Sequence, residues 1–348
     1  MKKSLTSKGF FLTLFLIWNW YTLLLSMKKI ITPTREELFE AFNKIKNSTH
    51  EGINGVFKFD SGNPGPVLGV TIQTHGNEPS GLATLWYFLN VEPIENLLKN
   101  GAVFFVINNI KATEKYFSAK NDDERRLARF VEVNFNRLPK DVMARKVENN
   151  YEVGRAQELK NIWSKFDVGM DIHSTTQESE PMIIAINKFE KDLVKGFPIS
   201  IVISNIENIQ IGVPPTIFYG GDKNISILAI ESGSHEKQSS FVTAITCMLN
   251  LMQNIKMTSE EVSIEQKQEY LLYEVVGSLV FPNSSYVLSK IYPMFGNITK
   301  GEILANGDNG PLHAPLSGCT IFGPKQEKPD SIAEEVLFFT KPVKKLLV

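Results

Sequence analysis

The first residues able to do chemistry are His75 and Glu78, three apart in His75-Gly76-Asn77-Glu78. They follow the β-branched apolar run Val67-Leu68-Gly69-Val70-Thr71-Ile72-Gln73-Thr74. They precede a pattern in which Leu82, Leu85, Trp86 and Leu89 recur at helical spacing. An imidazole and a carboxylate at such a strand-to-helix turn offer zinc two ligands, because zinc accepts nitrogen and oxygen donors together. A catalytic zinc takes three protein ligands and leaves one position open for water. Pro79 suits the first helical position, and the helix dipole would favour Glu78 in its ionised form. An isolated H-x-x-E also arises by chance, so the pair needs partners elsewhere in the chain.

His173, in Asp171-Ile172-His173-Ser174-Thr175-Thr176 at the end of another predicted strand, supplies the third ligand. Asp171 either supports that ligand or stabilises its loop. Water activation needs a base, and Glu231 in Ile230-Glu231-Ser232-Gly233 ends the last strand of the same pattern, facing the same crevice. Asn136 and Arg137 could grip a substrate carboxylate, whose geometry a guanidinium fork matches. Taken singly, Glu231 and the Asn136-Arg137 pair read as solvated surface. Of the five histidines, His235 reads as a loop residue close behind Glu231, His313 as part of a later β region and His50 as surface.

Alternating strand and helix patterns position these residues. Thr34 to Ile45 reads as a helix with Thr34 and Glu37 as a capping box. Strands are predicted over 67–74, 102–108, 167–172, 182–186, 199–204 and 226–230, and helices over 80–90, 153–165 and 239–255. Several strands are nearly continuous apolar runs, as in a sheet covered on both faces. The fold class is therefore α/β, with a mostly parallel or mixed sheet. After residue 258 the pattern changes to short strands over 270–280, 284–290 and 318–322. They are separated by the turn signals Gly296-Asn297, Asn306-Gly307 and Asn309-Gly310-Pro311. The expected organisation is an N-terminal apolar segment over 1–29, a catalytic domain over 30–257 and a small C-terminal β domain over 258–348.

The 348 residues carry 43% apolar and 22% charged side chains, which marks an ordinary globular protein. Lys+Arg of 37 against Asp+Glu of 38 leaves a net charge of -1, so nucleic acid is not an expected partner. Cys247 and Cys319 lack metal-finger spacing, and Cys247 sits in a helix-like apolar pattern as a buried thiol. Lys2, Lys3 and Lys8 precede the apolar stretch 10–25, which resembles a signal core or short anchor and could associate with a membrane. No small-residue cleavage site follows it. Initiation at Met27 would instead begin a cytoplasmic enzyme, the reading favoured here; the alternative is a membrane-anchored or exported protein.

Together these segments resemble the succinylglutamate desuccinylase and aspartoacylase family, within the clan of zinc metallocarboxypeptidases. The carriers are His75-Gly76-Asn77-Glu78-Pro79-Ser80-Gly81, Asn134-Phe135-Asn136-Arg137, Tyr151-Glu152-Val153-Gly154-Arg155-Ala156-Gln157-Glu158, Asp171-Ile172-His173-Ser174-Thr175-Thr176 and Ile230-Glu231-Ser232-Gly233. The resemblance implies a carboxypeptidase-like α/β/α sandwich followed by a β domain that narrows the site entrance. It implies one zinc per chain on His75, Glu78 and His173, with Glu231 activating water and passing its proton to the leaving amine. It also implies that Arg129 polarises the scissile carbonyl, and that Asn136 and Arg137 hold the substrate carboxylate.

The departures concern the substrate. The family's Asp-x-Asn-Arg reads here Asn134-Phe135-Asn136-Arg137, so a carboxylate has become an amide. Where aspartoacylase has a substrate-binding arginine ten residues before the base, this chain has Gly221, with Lys223 nearby as the candidate cation. The segment matching its substrate tyrosine reads Leu337-Phe338-Phe339, without a hydroxyl. The leading expectation is a zinc-dependent deacylase acting on an N-acyl amino acid or related small amide that bears a carboxylate. The alternatives are a metallocarboxypeptidase acting on peptides or cell-wall fragments and a catalytically silent small-carboxylate-binding protein.

Overall fold

Nearly continuous apolar runs build the centre of one large mixed sheet. The structure, a computed structural model, describes residues 30–144, 150–186, 189–220, 225–235, 237–258, 269–330 and 334–347. Its main strands are β1 (Val56–Asp60), β2 (Val67–Ile72), β3 (Ala102–Ile107), β4 (Val168–Thr175), β5 (Met182–Ile186), β6 (Ile201–Ser204) and β7 (Ser226–Ser234). Later in the chain come β8 (Glu269–Val280), β9 (Gly296–Ile298), β10 (Gly318–Ile321) and β11 (Glu335–Leu347). The eleven lie in the order β9-β10-β11-β8-β6-β5-β7-β4-β2-β3-β1. The β3-β2-β4-β7 centre is parallel throughout. β5 runs antiparallel to β7, and β1 antiparallel to β3 at the edge.

Every residue of β3 is buried, as is all of β2 after Val67, as their continuous apolar composition requires. The helices covering the sheet include α1 (Arg35–Ile45), α2 (Ser80–Asn90), α3 (Ile110–Ser118), α4 (Tyr151–Trp163) and α5 (Gln238–Asn254). α1 has the expected capping box, Thr34 accepting from Glu37 N and Glu37 from Thr34 N. α2 packs against both α1 and α5. α4 contributes Leu159, Ile162 and Trp163 to the core with Phe104, Val106 and Ile227 of the strands.

The strands after residue 269 extend the same sheet, because β8 pairs in parallel with β6 and in antiparallel with the long β11. A second apolar cluster, centred on Tyr286, Tyr292, Leu304 and Phe339, lies wholly within this region. The predicted strand over 284–290 shortens to Val287–Leu288. β1 and β11 escape the sequence pattern: β1 alternates only over five residues, and β11 is broken by Lys341-Pro342. The apolar stretch 10–25 lies outside the described residues. Among the described residues no helix is long and apolar enough to cross a membrane.

Candidate active site

The site gathers at the carboxyl ends of β2, β4 and β7, where parallel strands leave an open crevice. After β2 the backbone turns sharply: Gln73 takes φ 52°, and Gly76 packs so closely that a Cβ there would lie 2.3 Å from the carbonyl of Ala112. That turn delivers His75 and Glu78, with Pro79 capping α2 one position earlier than the pattern suggests. His173 and Glu231 sit directly across from one another in the β4–β7 register.

His75, Glu78 and His173 are buried, and their ligand atoms all lie within 4.8 Å of one another. Glu78 stands between the imidazoles, with Oε1 2.8 Å from His75 Nδ1 and Oε2 2.7 Å from His173 Nδ1. The outer nitrogens decide the tautomers. Asn134 Oδ1 accepts from the Asn136 backbone N–H at 2.9 Å, so the atom facing His75 Nε2 at 2.9 Å is an oxygen. His75 therefore carries its proton on Nε2. His173 Nε2 is 3.0 Å from Asp171 Oδ2 and 3.4 Å from Asn136 Nδ2. The shorter, ionic contact makes Nε2 the protonated nitrogen here too.

Two Nδ1 lone pairs and a carboxylate thus converge, an arrangement that only extra protons or a cation can satisfy. In the metal-free protein protons do so at one side. Burial opposes a charge on His173, but the Asp171 and Glu78 carboxylates raise its pKa well above the usual value. Burial and nearby Arg129 lower that of His75. Burial would raise Glu78, yet the two imidazoles hold it well below its usual range. A donor set of two imidazoles and one carboxylate fits zinc, with each outer nitrogen tied to an oxygen acceptor.

Around this group stand the other predicted residues. Arg129 donates Nη1 to Glu78 Oε1 at 2.8 Å and lines the cavity. Glu231 lines it as well; its Oε2 is buried without a hydrogen-bond partner among the described residues, and burial pushes the carboxyl up to about 8. Asn136 and Arg137 reach the same cavity. Arg137 is already occupied, its Nε donating to Glu335 Oε2 at 2.9 Å. Gly221 and Lys223 lie outside the described residues. His235 bonds Ser174 Oγ and Thr176 Oγ1 through its two nitrogens, and burial takes it down to about 4. His313 is exposed, near the Gly301 carbonyl.

The Tyr151–Glu158 segment acts from behind. Glu152 is buried and accepts from the backbone N–H groups of Val131, Glu132 and Val133 and from Asn109 Nδ2. It clamps the loop that carries Arg129 on one side and Asn134 on the other. Arg155 similarly binds the carbonyls of Ile107 and Asn108 at the end of β3 and that of Asn54 ahead of β1. Sequence reasoning missed Glu334 and Glu335, because the start of β11 carries no motif. Glu334 accepts from Asn134 Nδ2 at 2.7 Å, which binds the final strand to the site.

Residues 64–205 match the family model described as the succinylglutamate desuccinylase/aspartoacylase catalytic domain. Over this stretch the chain is similar to the succinylglutamate desuccinylase/aspartoacylase family. Solved structures agree in fold across almost the whole chain. Succinylglutamate desuccinylase from Vibrio cholerae is 13% identical with a TM-score of 0.65, covering 92% of this chain and 100% of its own. The Chromobacterium violaceum desuccinylase is 16% identical with a TM-score of 0.61, covering 88% and 98%. A product-bound ectoine utilization protein from Ruegeria pomeroyi is 15% identical with a TM-score of 0.54, covering 82% and 88%. A search of curated protein sequences finds no match. The mixed α/β sheet with extra C-terminal strands is the fold these structures share with this chain.

Proposed function

We propose that this protein is a zinc-dependent amidohydrolase that cleaves the amide of an N-acyl amino acid or a related small amide. The observation that carries the reading is the convergence of His75 Nδ1, His173 Nδ1 and the Glu78 carboxylate, near Glu231, whose buried Oε2 has no partner among the described residues. His75, Glu78 and His173 would hold one zinc, which lowers the pKa of water and polarises a carbonyl. Glu231 Oε2 accepts the proton of the attacking water and delivers it to the leaving nitrogen. Its ionisation, suppressed by burial in the metal-free protein, becomes easier beside a divalent cation. Arg129 stabilises the oxyanion with its guanidinium while anchoring Glu78. Asn136 orients the substrate carboxylate, with Lys223 proposed as its cation and Arg137 held in place by Glu335. A cleft of about 690 Å³ beside Glu78 and Glu231 has room for a small amide.

The experiment is hydrolysis by zinc-loaded protein of N-acyl amino acids set against short peptides. Faster release from the acyl amino acids is expected. Turnover of peptides alone would favour a metallocarboxypeptidase, and a zinc-loaded protein inert on both would favour a small-carboxylate-binding protein.

A further inference from the structure

A row of buried polar side chains runs sideways across three neighbouring strand ends and stops at His173. Asn108 follows β3, Thr74 follows β2 and Asp171 lies on β4, and these strands pair side by side in parallel. Asn108 Nδ2 donates to Thr74 Oγ1 at 2.8 Å, and Thr74 Oγ1 donates to Asp171 Oδ1 at 3.0 Å. Asp171 Oδ2 in turn accepts from His173 Nε2 at 3.0 Å. The directions are fixed, because an ionised carboxylate only accepts and a hydroxyl has one proton to give, which leaves Asn108 to present its amide nitrogen to Thr74. All four side chains are buried, so little solvent competes for these bonds. Asn108 is itself held by its backbone, the N–H donating to the Ile72 carbonyl at 2.9 Å and the carbonyl accepting from Arg155 Nε at 3.3 Å. Thr71 also hydrogen-bonds Asp171, but its hydroxyl is shared with the Met170 carbonyl at 3.5 Å. The left-handed Gln73 turns the chain so that Thr74 meets Asp171 while His75, next in sequence, meets Glu78. One turn therefore carries one imidazole and steadies the other.

We propose that Thr74 and Asn108 are positioning residues that act through Asp171 to hold the His173 imidazole with Nδ1 aimed at the Glu78 carboxylate. The inference rests on the zinc reading of this site and adds what aligns the ligand supplied by β4. Without the Thr74 hydroxyl, Asp171 keeps only the shared Thr71 donor, so its carboxylate plane and the ring it aligns gain freedom to rotate. Without Asn108, the Thr74 oxygen loses its donor and the hydroxyl is free to turn away, so the effect reaches His173 in a diminished form.

The test measures zinc affinity of the full chain, by competition with a chelator, in the native protein, Thr74→Val, Thr74→Ser, Asn108→Ala, Asp171→Asn and the Thr74→Val/Asp171→Asn pair. Thr74→Val keeps the side-chain shape and removes the hydroxyl. Zinc binding about tenfold weaker is expected there, with a smaller loss in Asn108→Ala and native affinity in Thr74→Ser. In the pair the loss should not exceed that of Asp171→Asn alone, because Thr74 acts through that carboxylate. The visible spectrum of the cobalt-loaded protein should change in Thr74→Val and return in Thr74→Ser. Native affinity in Thr74→Val, or a loss that adds in full to that of Asp171→Asn, overturns the inference and leaves the zinc reading standing. A native chain that takes up no zinc overturns the zinc reading, and the imidazole is then followed directly, by the Nε2–H resonance of His173 in metal-free protein isotope-labelled at histidine. A resonance that shifts in Thr74→Val and not in Thr74→Ser keeps the positioning roles, and an unmoved resonance overturns them as well.

Discussion

Asn134 Oδ1 stands 2.9 Å from His75 Nε2 and holds the imidazole with Nδ1 turned toward Glu78. Because the same amide donates to Glu334 Oε2 at 2.7 Å, the orientation of a proposed ligand depends on the first residue ahead of β11. Asn134→Ala should lower zinc affinity about 10- to 100-fold, measured by competition with a chelator. Asn134→Asp would set a carboxylate against Glu334, so its affinity should recover only when Glu334→Gln is added. Unaltered affinity in Asn134→Ala would show that the contact does not orient the ligand.

Zinc binding should release protons. Against the cost of burial, His173 is held protonated well above its ordinary pKa by Asp171 and Glu78, so near neutral pH the ion must displace a proton from Nδ1. Titration calorimetry in buffers of different ionisation enthalpy should report about one proton released per zinc at pH 7. His173→Ala should bind zinc far more weakly. Zinc uptake with no dependence on buffer would remove His173 from the ligand set.

Glu231 gives the metal-free protein a pH signature. Burial raises its carboxyl from 4.5 to about 8. The protonated form favours folding, so the stability it contributes is complete below pH 4.5 and is lost as pH rises toward 8. Glu231→Gln should escape that loss and gain on the order of 2–4 kcal/mol over the native chain between pH 5 and 8. Urea denaturation of the chelated proteins measures the difference, and parallel pH profiles would contradict it.

Much of this site is legible from residue order alone. His75 and Glu78 lie in the turn between β2 and α2, and His173 and Glu231 lie in the carboxyl-terminal halves of β4 and β7, so local periodicity places them and sheet topology makes them converge. The Asn134 substitution is visible in the sequence, but its bond to His75 is not, since a loop residue 59 positions away carries no periodic signal. Glu334 and Glu335 are harder still. Their significance comes from the pairing of β11 with β8, a long-range contact that brings the chain's end to the cavity. The expectation of a free cation at Arg137 meets the same difficulty, because its partner lies 198 residues away.

The Glu152 clamp should matter although it lies behind the cavity. Glu152→Ala removes the acceptor for three backbone N–H groups and Asn109, so a loss of about 3 kcal/mol is expected. Hydrogen exchange at Val131, Glu132 and Val133 should accelerate, and kcat/KM should fall as Arg129 loses its position. Unchanged exchange at these amides would show that the loop is held by other contacts.

The central claim is that Glu231 moves the proton for an amide cleavage supported by zinc on His75, Glu78 and His173. The most direct measurement is amine release from an N-acyl amino acid by zinc-loaded native chain and Glu231→Gln, with zinc content determined on the same samples. A loss of about 100- to 10,000-fold in kcat with zinc fully retained is predicted. A Glu231→Gln protein as active as the native chain, at equal zinc content, would contradict it.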